Sequence, residues 1–475
     1  MRPRVVAQII GRFMLVFSVI LAAPVLIGLY YTESSATLAP FIYSAITCLI
    51  GGFILKHGGR SDDPSVKEAM IATVLGWSLA TFLGGVPLLP EMSLINAVFE
   101  SAAGLTTTGM SMFTAPGSLP HSILFWRALM QWVGGLGILT FFIAVIRESG
   151  GISRRLFSAE THKSDPGSIR PSLRKSIIEL WRVYGFITSV IIGTFVALGM
   201  PVFDAVTHGF STLSTGGFST TAQSLGGFSP AIQAATVPFM FIGGVNFVIL
   251  YRLLRGELKS LKNSELKLYT QIFLALTGVF LLETLNSSGL SQALLDSAFQ
   301  SASIISSTGF ATTSLMAFSI AVQIIIIGVM FVGGSVGSTS GGLKVFRLKT
   351  LIELLRTRIR AYSLPETAIN EVKIDGELLD VSAIRTVSVL FFIWVAVVFL
   401  GTVSVLAFDN VSFAASLSGA VSAAGNMGPV FLSGERMVEL SWISKSVWIV
   451  LMLAGRLEML PVLAIFNRSI FPDSK

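Results

Sequence analysis

The chain has 475 residues, of which 12% are Asp, Glu, Lys or Arg and 52% are hydrophobic, and its mean hydropathy is +0.77. A soluble domain carries about 25% charged residues, so soluble, disordered and collagen-like classes are excluded, and a single cysteine, Cys48, excludes a disulfide scaffold. The net charge of +7 lies in loops between apolar runs, which points to a polytopic membrane protein contacting a lipid bilayer and not to a nucleic-acid partner.

Apolar runs able to cross a hydrocarbon core of about 30 Å occur near 9–31, 38–55, 69–89, 122–146, 183–200, 231–251, 268–285, 317–332, 386–408 and 443–466. The first has no small-residue cleavage site after it and reads as a retained helix, not a signal peptide. Of the 33 Lys and Arg, Arg127, Arg436 and Lys445 fall in one set of loops and Arg456 falls inside an apolar run. The other 29 lie on the opposite side, in the segments 2–12, 56–67, 147–182, 252–267, 344–385 and 468–475. The positive-inside rule makes that side cytoplasmic, with both termini inside and an even number of crossings. The cytoplasmic segments are too short for globular domains and read as loops with short basic helices.

Between the third and fourth, fifth and sixth, seventh and eighth, and ninth and tenth runs lies a short amphipathic stretch followed by small polar residues and glycine. Each is too short to span and lies on the side poor in basic residues, so each reads as a re-entrant hairpin. The tails share one frame: Leu105 to Ser111, Leu213 to Ser219, Ile305 to Ala311, and a divergent Gly425-Asn-Met-Gly428-Pro429. Each following run carries a second landmark: Trp132-Val-Gly-Gly135, Phe241-Ile-Gly-Gly244, Phe331-Val-Gly-Gly334 and Leu453-Ala-Gly-Arg456. From hairpin glycine to first landmark glycine the spacings are 134−109 = 25, 243−217 = 26, 333−309 = 24 and 455−428 = 27. Taking Gly425 as the last frame would give 30, so Gly428 is the matching residue. The expected fold is an all-α polytopic membrane protein: two additional N-terminal helices in 1–60, then helix–pore-loop–helix repeats at 68–150, 176–257, 264–360 and 380–467 in pseudo-fourfold arrangement around one pore.

Non-helical backbone at membrane depth survives only where protein or water satisfies its amides, so four such loops imply a path. Four strands around one axis would turn carbonyls inward, the glycines supplying φ values that a β-carbon forbids and the Thr or Ser hydroxyls adding oxygen ligands below. A ring of carbonyl oxygens replaces the hydration shell of a monovalent cation. One Thr-Thr-Gly alone would be an ordinary turn. Asp204 and Asp296 each lie 13 residues before their hairpin glycine, Asn96 holds that place in the first unit, and Glu100 lies nearby. These three acids are candidates to draw cations toward the mouth, although Asp204 and Asp296 could equally cap the short helices.

The hairpin residues Thr107-Thr108-Gly109, Ser214-Thr215-Gly216-Gly217-Phe218, Ser307-Thr308-Gly309-Phe310 and Asn426-Met427-Gly428-Pro429 resemble those of the Trk/Ktr/HKT superfamily of potassium transporters, and the two extra N-terminal helices resemble its bacterial TrkH branch. The likeness covers nearly the whole chain. One departure is Val430, where another glycine is expected after Gly428-Pro429. The resemblance implies a potassium-selective pore built from one polypeptide, with K+ held at Thr107, Thr108, Gly109, Thr215, Gly216, Gly217, Ser307, Thr308, Gly309, Asn426, Met427 and Gly428. It also implies a homodimer in the prokaryotic plasma (inner) membrane, regulated by a cytosolic nucleotide-binding subunit, a TrkA-like ring. NAD or ATP/ADP would bind that partner only, and this chain would need no cofactor beyond the transported K+.

The eighth run breaks at Gly333-Gly-Ser-Val-Gly-Ser-Thr-Ser-Gly-Gly342, and each glycine costs a helix about 1 kcal/mol relative to alanine. A phosphate-binding loop needs Lys directly after the last glycine, but Leu343 stands there and Lys344 comes one place late. A flexible intramembrane loop beneath the filter fits better, and in the resembling family this segment is a gate; Gly333, Gly334, Gly337, Gly341 and Gly342 are its glycines. Arg456 replaces the glycine of the other three units. An arginine at bilayer depth costs roughly 2.5–3.5 kcal/mol, so it should face the pore as part of the gate or pair with Glu458. His208 reads as a hydrogen-bonded pore-helix residue and Cys48 as packing. The expected activity is potassium uptake, with a Na+-permeable or Na+/H+-coupled K+ transporter as the alternative. A membrane enzyme on lipid-linked substrates would need clustered acid, base or metal ligands, and the four histidines, at 57, 121, 162 and 208, are scattered.

Overall fold

The computed structural model describes residues 2–57, 64–146, 173–285, 289–363, 365, 371–459 and 462–463. Of the basic segments expected at 147–182 and 468–475, residues 147–172 and 468–475 lie outside the described residues. Helices α1 (Pro3–Tyr30) and α2 (Ser35–Lys56) form an antiparallel hairpin. Gly11 and Gly52 let the two backbones touch, since a β-carbon on either would come within 3.0 Å of the other's carbonyl oxygen. Helix α1 packs on α3 (Val66–Gly85) and α5 (His121–Ile146), which places the pair against the first repeat.

The four repeats follow the order helix, short helix, hairpin tail, helix. The first is α3, α4 (Leu94–Leu105) and α5; the second is α6 (Leu173–Ala197), α7 (Val202–Leu213), α8 (Pro230–Gly243) and α9 (Phe247–Leu254). The third is α10 (Ser264–Thr284), α11 (Leu290–Ile305), α12 (Ile320–Val332) and α13 (Val345–Ala361). A two-stranded antiparallel hairpin, β1 (Lys373–Ile374) and β2 (Glu377–Leu378), leads to the fourth: α14 (Val381–Phe408), α15 (Phe413–Gly425), the short α16 (Gly434–Glu439) and α17 (Trp442–Arg456). The second helix of each repeat packs on the short helix of the next, α5 on α7, α8 on α11, α12 on α15 and α17 on α4. That sequence of contacts closes on itself, so the repeats encircle one axis. Large apolar side chains of α1, α2 and α14, among them Val19, Phe392 and Phe399, stay exposed on the outside, as lipid-facing residues do.

The ten expected crossings differ in form from the helices found. Among the described residues, six helices are long and apolar enough to span. The run 231–251 is not straight: α8 and α9 meet at 108°, because Gly243 and Gly244 end α8 and Asn246 starts a new helix by accepting from Val248 N at 2.8 Å. Helix α12 stops after 13 residues at Gly333, φ +72, a rise of about 20 Å, and non-helical backbone of turns and bends completes the passage to α13. Arg127 and Lys445 do not lie in outer loops; both are buried within helices. Cys48 is free and buried.

Candidate ion pathway

The short helices α4, α7, α11 and α15 end in the same turn. The N–H of Thr108, Gly216, Thr308 and Met427 each donates to the carbonyl five residues earlier, on Ala103, Ser211, Ser303 and Ser422, at 2.8 to 3.0 Å. The residue before each donor is left-handed: Thr107 φ +57, Thr215 φ +55, Ser307 φ +59 and Asn426 φ +50. Glycine is the usual occupant of such a cap, and a β-branched residue there is strained; residues with side-chain oxygens stand at all four places instead. Two residues on, Gly109, Gly217, Gly309 and Gly428 have φ of +78, +78, +81 and +97. The divergent fourth hairpin thus keeps the frame that its spacing predicts, and Val430 lies beyond it at the rim of the outer cavity.

The four tails form a closed ring. A β-carbon on Gly109 would overlap Gly216 O, one on Gly217 would overlap Thr308 O, one on Gly309 would overlap Met427 O, and one on Gly428 would overlap Thr108 O, each closer than 3.0 Å. The carbonyl before each glycine is therefore turned against the glycine of the preceding strand, and the order runs one to two to three to four to one. All four glycines line the floor of an outer cavity of about 600 Å³.

The side-chain oxygens below the ring are held unequally. Thr108 Oγ1 meets Thr106 Oγ1 at 2.7 Å, and Thr308 Oγ1 meets Ser306 Oγ at 2.6 Å. Asn426 Nδ2 donates to Thr108 Oγ1 and to Met452 O, both at 2.9 Å, joining the fourth strand to the first. Thr107 Oγ1 and Asn426 Oδ1 are buried with no hydrogen-bond partner among the described residues.

Beneath them the segment from Gly333 to Leu343 crosses the axis, and it is anchored rather than loose. Ser340 Oγ meets Ser307 Oγ at 2.8 Å, and Gly341 N donates to Ser307 Oγ at 2.8 Å. Thr339 Oγ1 donates to Leu213 O at 2.9 Å and Gly243 O at 3.0 Å, while Gly342 N donates to Gly425 O at 2.8 Å. Gly334 N donates to Ser340 Oγ at 2.9 Å, and Gly337 O accepts from Phe247 N at 3.0 Å. Gly341 has no room for a side chain beside Gly425 O. Arg456 completes the contacts: one guanidinium nitrogen donates to Thr339 O and another to both Gly134 O and Gly135 O, each at 2.7 Å. The segment is thereby tied, directly or through Arg456, to all four repeats. The expected partner of Arg456, Glu458, instead pairs with Arg347 at 3.0 Å, because Arg456 turns inward while Glu458 lies past the end of α17.

The three acids expected at the mouth have other work. Glu100 is fully buried, pairs with Arg127 Nε at 2.7 Å, and accepts from Ser111 Oγ and Met112 N. Arg127 also donates to Ser219 O at 3.0 Å and lies 4.2 Å over the Phe218 ring. Asp204 accepts from Thr220 Oγ1 at 2.7 Å and Asp296 from Thr312 Oγ1 at 2.9 Å, both across 16 residues. Each acid thus holds the strand that leaves the ring against its short helix. Neither caps that helix, and Asp296 sits in the middle of α11. The carboxylate that does border the outer cavity is Glu435, exposed and without an ion pair among the described residues. His208 bridges Asp204 O at 2.8 Å and Ser219 Oγ at 2.9 Å. Sequence reasoning missed Glu435 and also Gln131, whose amide reaches the second strand; Gln131 could have been found as the one polar residue three places before a landmark glycine.

A family model described as a cation transport protein, TrkH, matches residues 39–282 and 266–474. The Trk system potassium uptake protein TrkH of Salmonella typhimurium is 30% identical across 98% of this chain and 99% of its own length. An uncharacterized cation transporter of Methanocaldococcus jannaschii is 30% identical over 97% of the chain and 93% of its own. The crystal structure of the potassium transporter TrkH from Vibrio parahaemolyticus superposes with a TM-score of 0.87 at 27% identity, covering 99% of this chain and 100% of that one.

Proposed function

The chain belongs to the TrkH family of cation transport proteins, and on that premise we propose that it carries potassium ions across the membrane through the ring of hairpin strands. The single observation behind the assignment is the closed ring itself: four equivalent carbonyls, on Thr108, Gly216, Thr308 and Met427, each set against the glycine of the preceding strand. Such a ring can replace the hydration shell of a bare monovalent cation. Side-chain oxygens of Thr107, Thr215, Ser307 and Asn426 supply a second tier. Thr107 Oγ1 and Asn426 Oδ1, buried and unpaired among the described residues, are acceptors that a cation would satisfy.

Cations enter from the outer cavity, where Glu435 adds local negative charge. They leave past the Gly333–Gly342 segment, which blocks the path and opens when its hydrogen bonds shift. A membrane potential of about 150 mV is worth roughly 3.5 kcal per mole of monovalent cation, enough for about 300-fold accumulation without ATP in this subunit. The protein is read as a multi-pass transporter, not an enzyme, of the prokaryotic inner membrane, with both termini cytoplasmic. It works as a homodimer with a TrkA-like cytosolic ring that binds NAD or ATP/ADP.

The test is rubidium and sodium flux into vesicles that hold only the purified full chain. Rubidium uptake that exceeds sodium uptake, with no proton or sodium gradient, is expected. Equal fluxes of the two ions, or uptake only with a coupling gradient, would reject a selective channel-like route and favour the Na+-permeable or Na+/H+-coupled alternative.

A further inference from the structure

We propose that Gln131 is a specificity-determining residue that sets the ligand strength of the second strand in the ring, an inference that rests on the filter reading above. Its side chain is fully buried on α5. Nε2 donates to Gly216 O at 2.6 Å, and Oε1 accepts from Phe218 N at 3.1 Å. The amide works as an extra peptide unit, clamping the residues on both sides of Gly217.

Gln131 breaks the fourfold pattern at one place. It lies three residues before its landmark glycine, 134−131 = 3, and the same offset in the other repeats gives Met240 (243−240), Met330 (333−330) and Met452 (455−452). Gly216 breaks the pattern where Gln131 meets it, for the equivalent residues of the other strands are Thr108, Thr308 and Met427. A β-carbon on Gly216 would overlap Gln131 Cδ, closer than 3.0 Å. The two form a matched pair: the strand gives up its side chain, and the neighbouring helix supplies a polar group in that space. Thr108 and Thr308 instead hold their strands through their own hydroxyls.

The bonded oxygen is one of the four that form the ring. Among the described residues, no side chain donates to the other three, Thr108 O, Thr308 O and Met427 O. A hydrogen bond withdraws electron density from a carbonyl and weakens its pull on a cation. A weaker ligand field costs a strongly hydrated ion such as Na+ more than it costs K+. The second bond, to Phe218 N, also keeps this strand from closing in on a smaller ion. Gln131 thus biases the ring toward the larger cation.

Rubidium and sodium flux should be measured for the wild type, Gln131→Met and the double variant Gln131→Met with Gly216→Thr. Gln131→Met should lower the rubidium-to-sodium ratio about fivefold, the fold-change of one net hydrogen bond, while rubidium flux persists. The double variant rebuilds the Met and Thr pairing of the third strand and should recover the ratio. A wild type without preference would sink the filter reading; a selective wild type matched by an equally selective Gln131→Met would sink this inference alone. Thermal unfolding of the same purified proteins in K+ and in Na+ gives a readout that does not need flux. The excess stabilisation by K+ should shrink in the single variant and return in the double, and an equal excess in all three would overturn the proposal.

Discussion

Arg456 donates a 2.7 Å hydrogen bond to the carbonyl of Thr339, 117 residues away, and the same guanidinium holds Gly134 O and Gly135 O. One cation thereby fastens the segment beneath the ring to the first repeat. Hydrogen bonds to a charged group contribute about 1.5–3 kcal/mol each, so Arg456→Gln should loosen the segment and also remove a positive charge from the path. Basal rubidium flux should rise several-fold with the rubidium-to-sodium ratio unchanged. Arg456→Lys, able to keep fewer of the three bonds, should fall between. Unchanged flux in a folded Arg456→Gln would make this arginine structural.

Shortening Gly333–Gly342 tests the same barrier from the other partner. The segment touches the ring through Ser307 and the short-helix ends at Leu213 and Gly425. Its removal should raise basal flux and weaken control by any regulator, because the obstruction goes while the ring stays. Loss of selectivity with unchanged flux would move the barrier elsewhere.

Gly109→Ser tests the ring. The backbone there is left-handed, φ +78, and a β-carbon would overlap Gly216 O, so a serine must push two strands apart. The potassium-to-sodium permeability ratio should fall about tenfold, equivalent to about 1.4 kcal/mol. An unaltered ratio in a correctly inserted variant would remove Gly109 from the filter.

Glu100 separates a mouth charge from a clamp. If the Glu100–Arg127 pair is structural, Glu100→Gln leaves a buried, uncompensated arginine, and breaking such a pair costs about 3–5 kcal/mol. The thermal midpoint in detergent should drop, and replacing Arg127 with Gln as well should recover part of it. A variant of normal stability whose uptake falls more at low than at high ionic strength would restore the attractor role.

The exposed arginines at the end of α13 address the partner. Arg356, Arg358 and Arg360 lie on a helix near whose start Phe346 packs against Val336 of the Gly333–Gly342 segment and Arg347 pairs with Glu458. Charge reversal at all three should abolish a salt-sensitive association with a cytosolic nucleotide-binding ring while insertion and basal flux persist. Association and regulation that survive would leave these residues as topology signals that contact anionic lipid.

The repeats, the glycine frame and the break at Gly333 were legible in the sequence because each is a local demand. A short apolar stretch cannot span, a left-handed residue at membrane depth needs glycine or a polar side chain, and five glycines in ten residues end a helix. Even the divergent fourth hairpin followed from spacing, and Gly428 takes the conformation of its three counterparts. What the acids and bases do was decided only by tertiary structure. Glu100, Asp204 and Asp296 are each placed by a strand that returns 11 to 16 residues later. Gln131 and Arg456 reach partners 85 and up to 322 residues away. A buried charge or amide must find its donors and acceptors wherever the closed ring brings backbone near it, and linear spacing carries no record of that meeting.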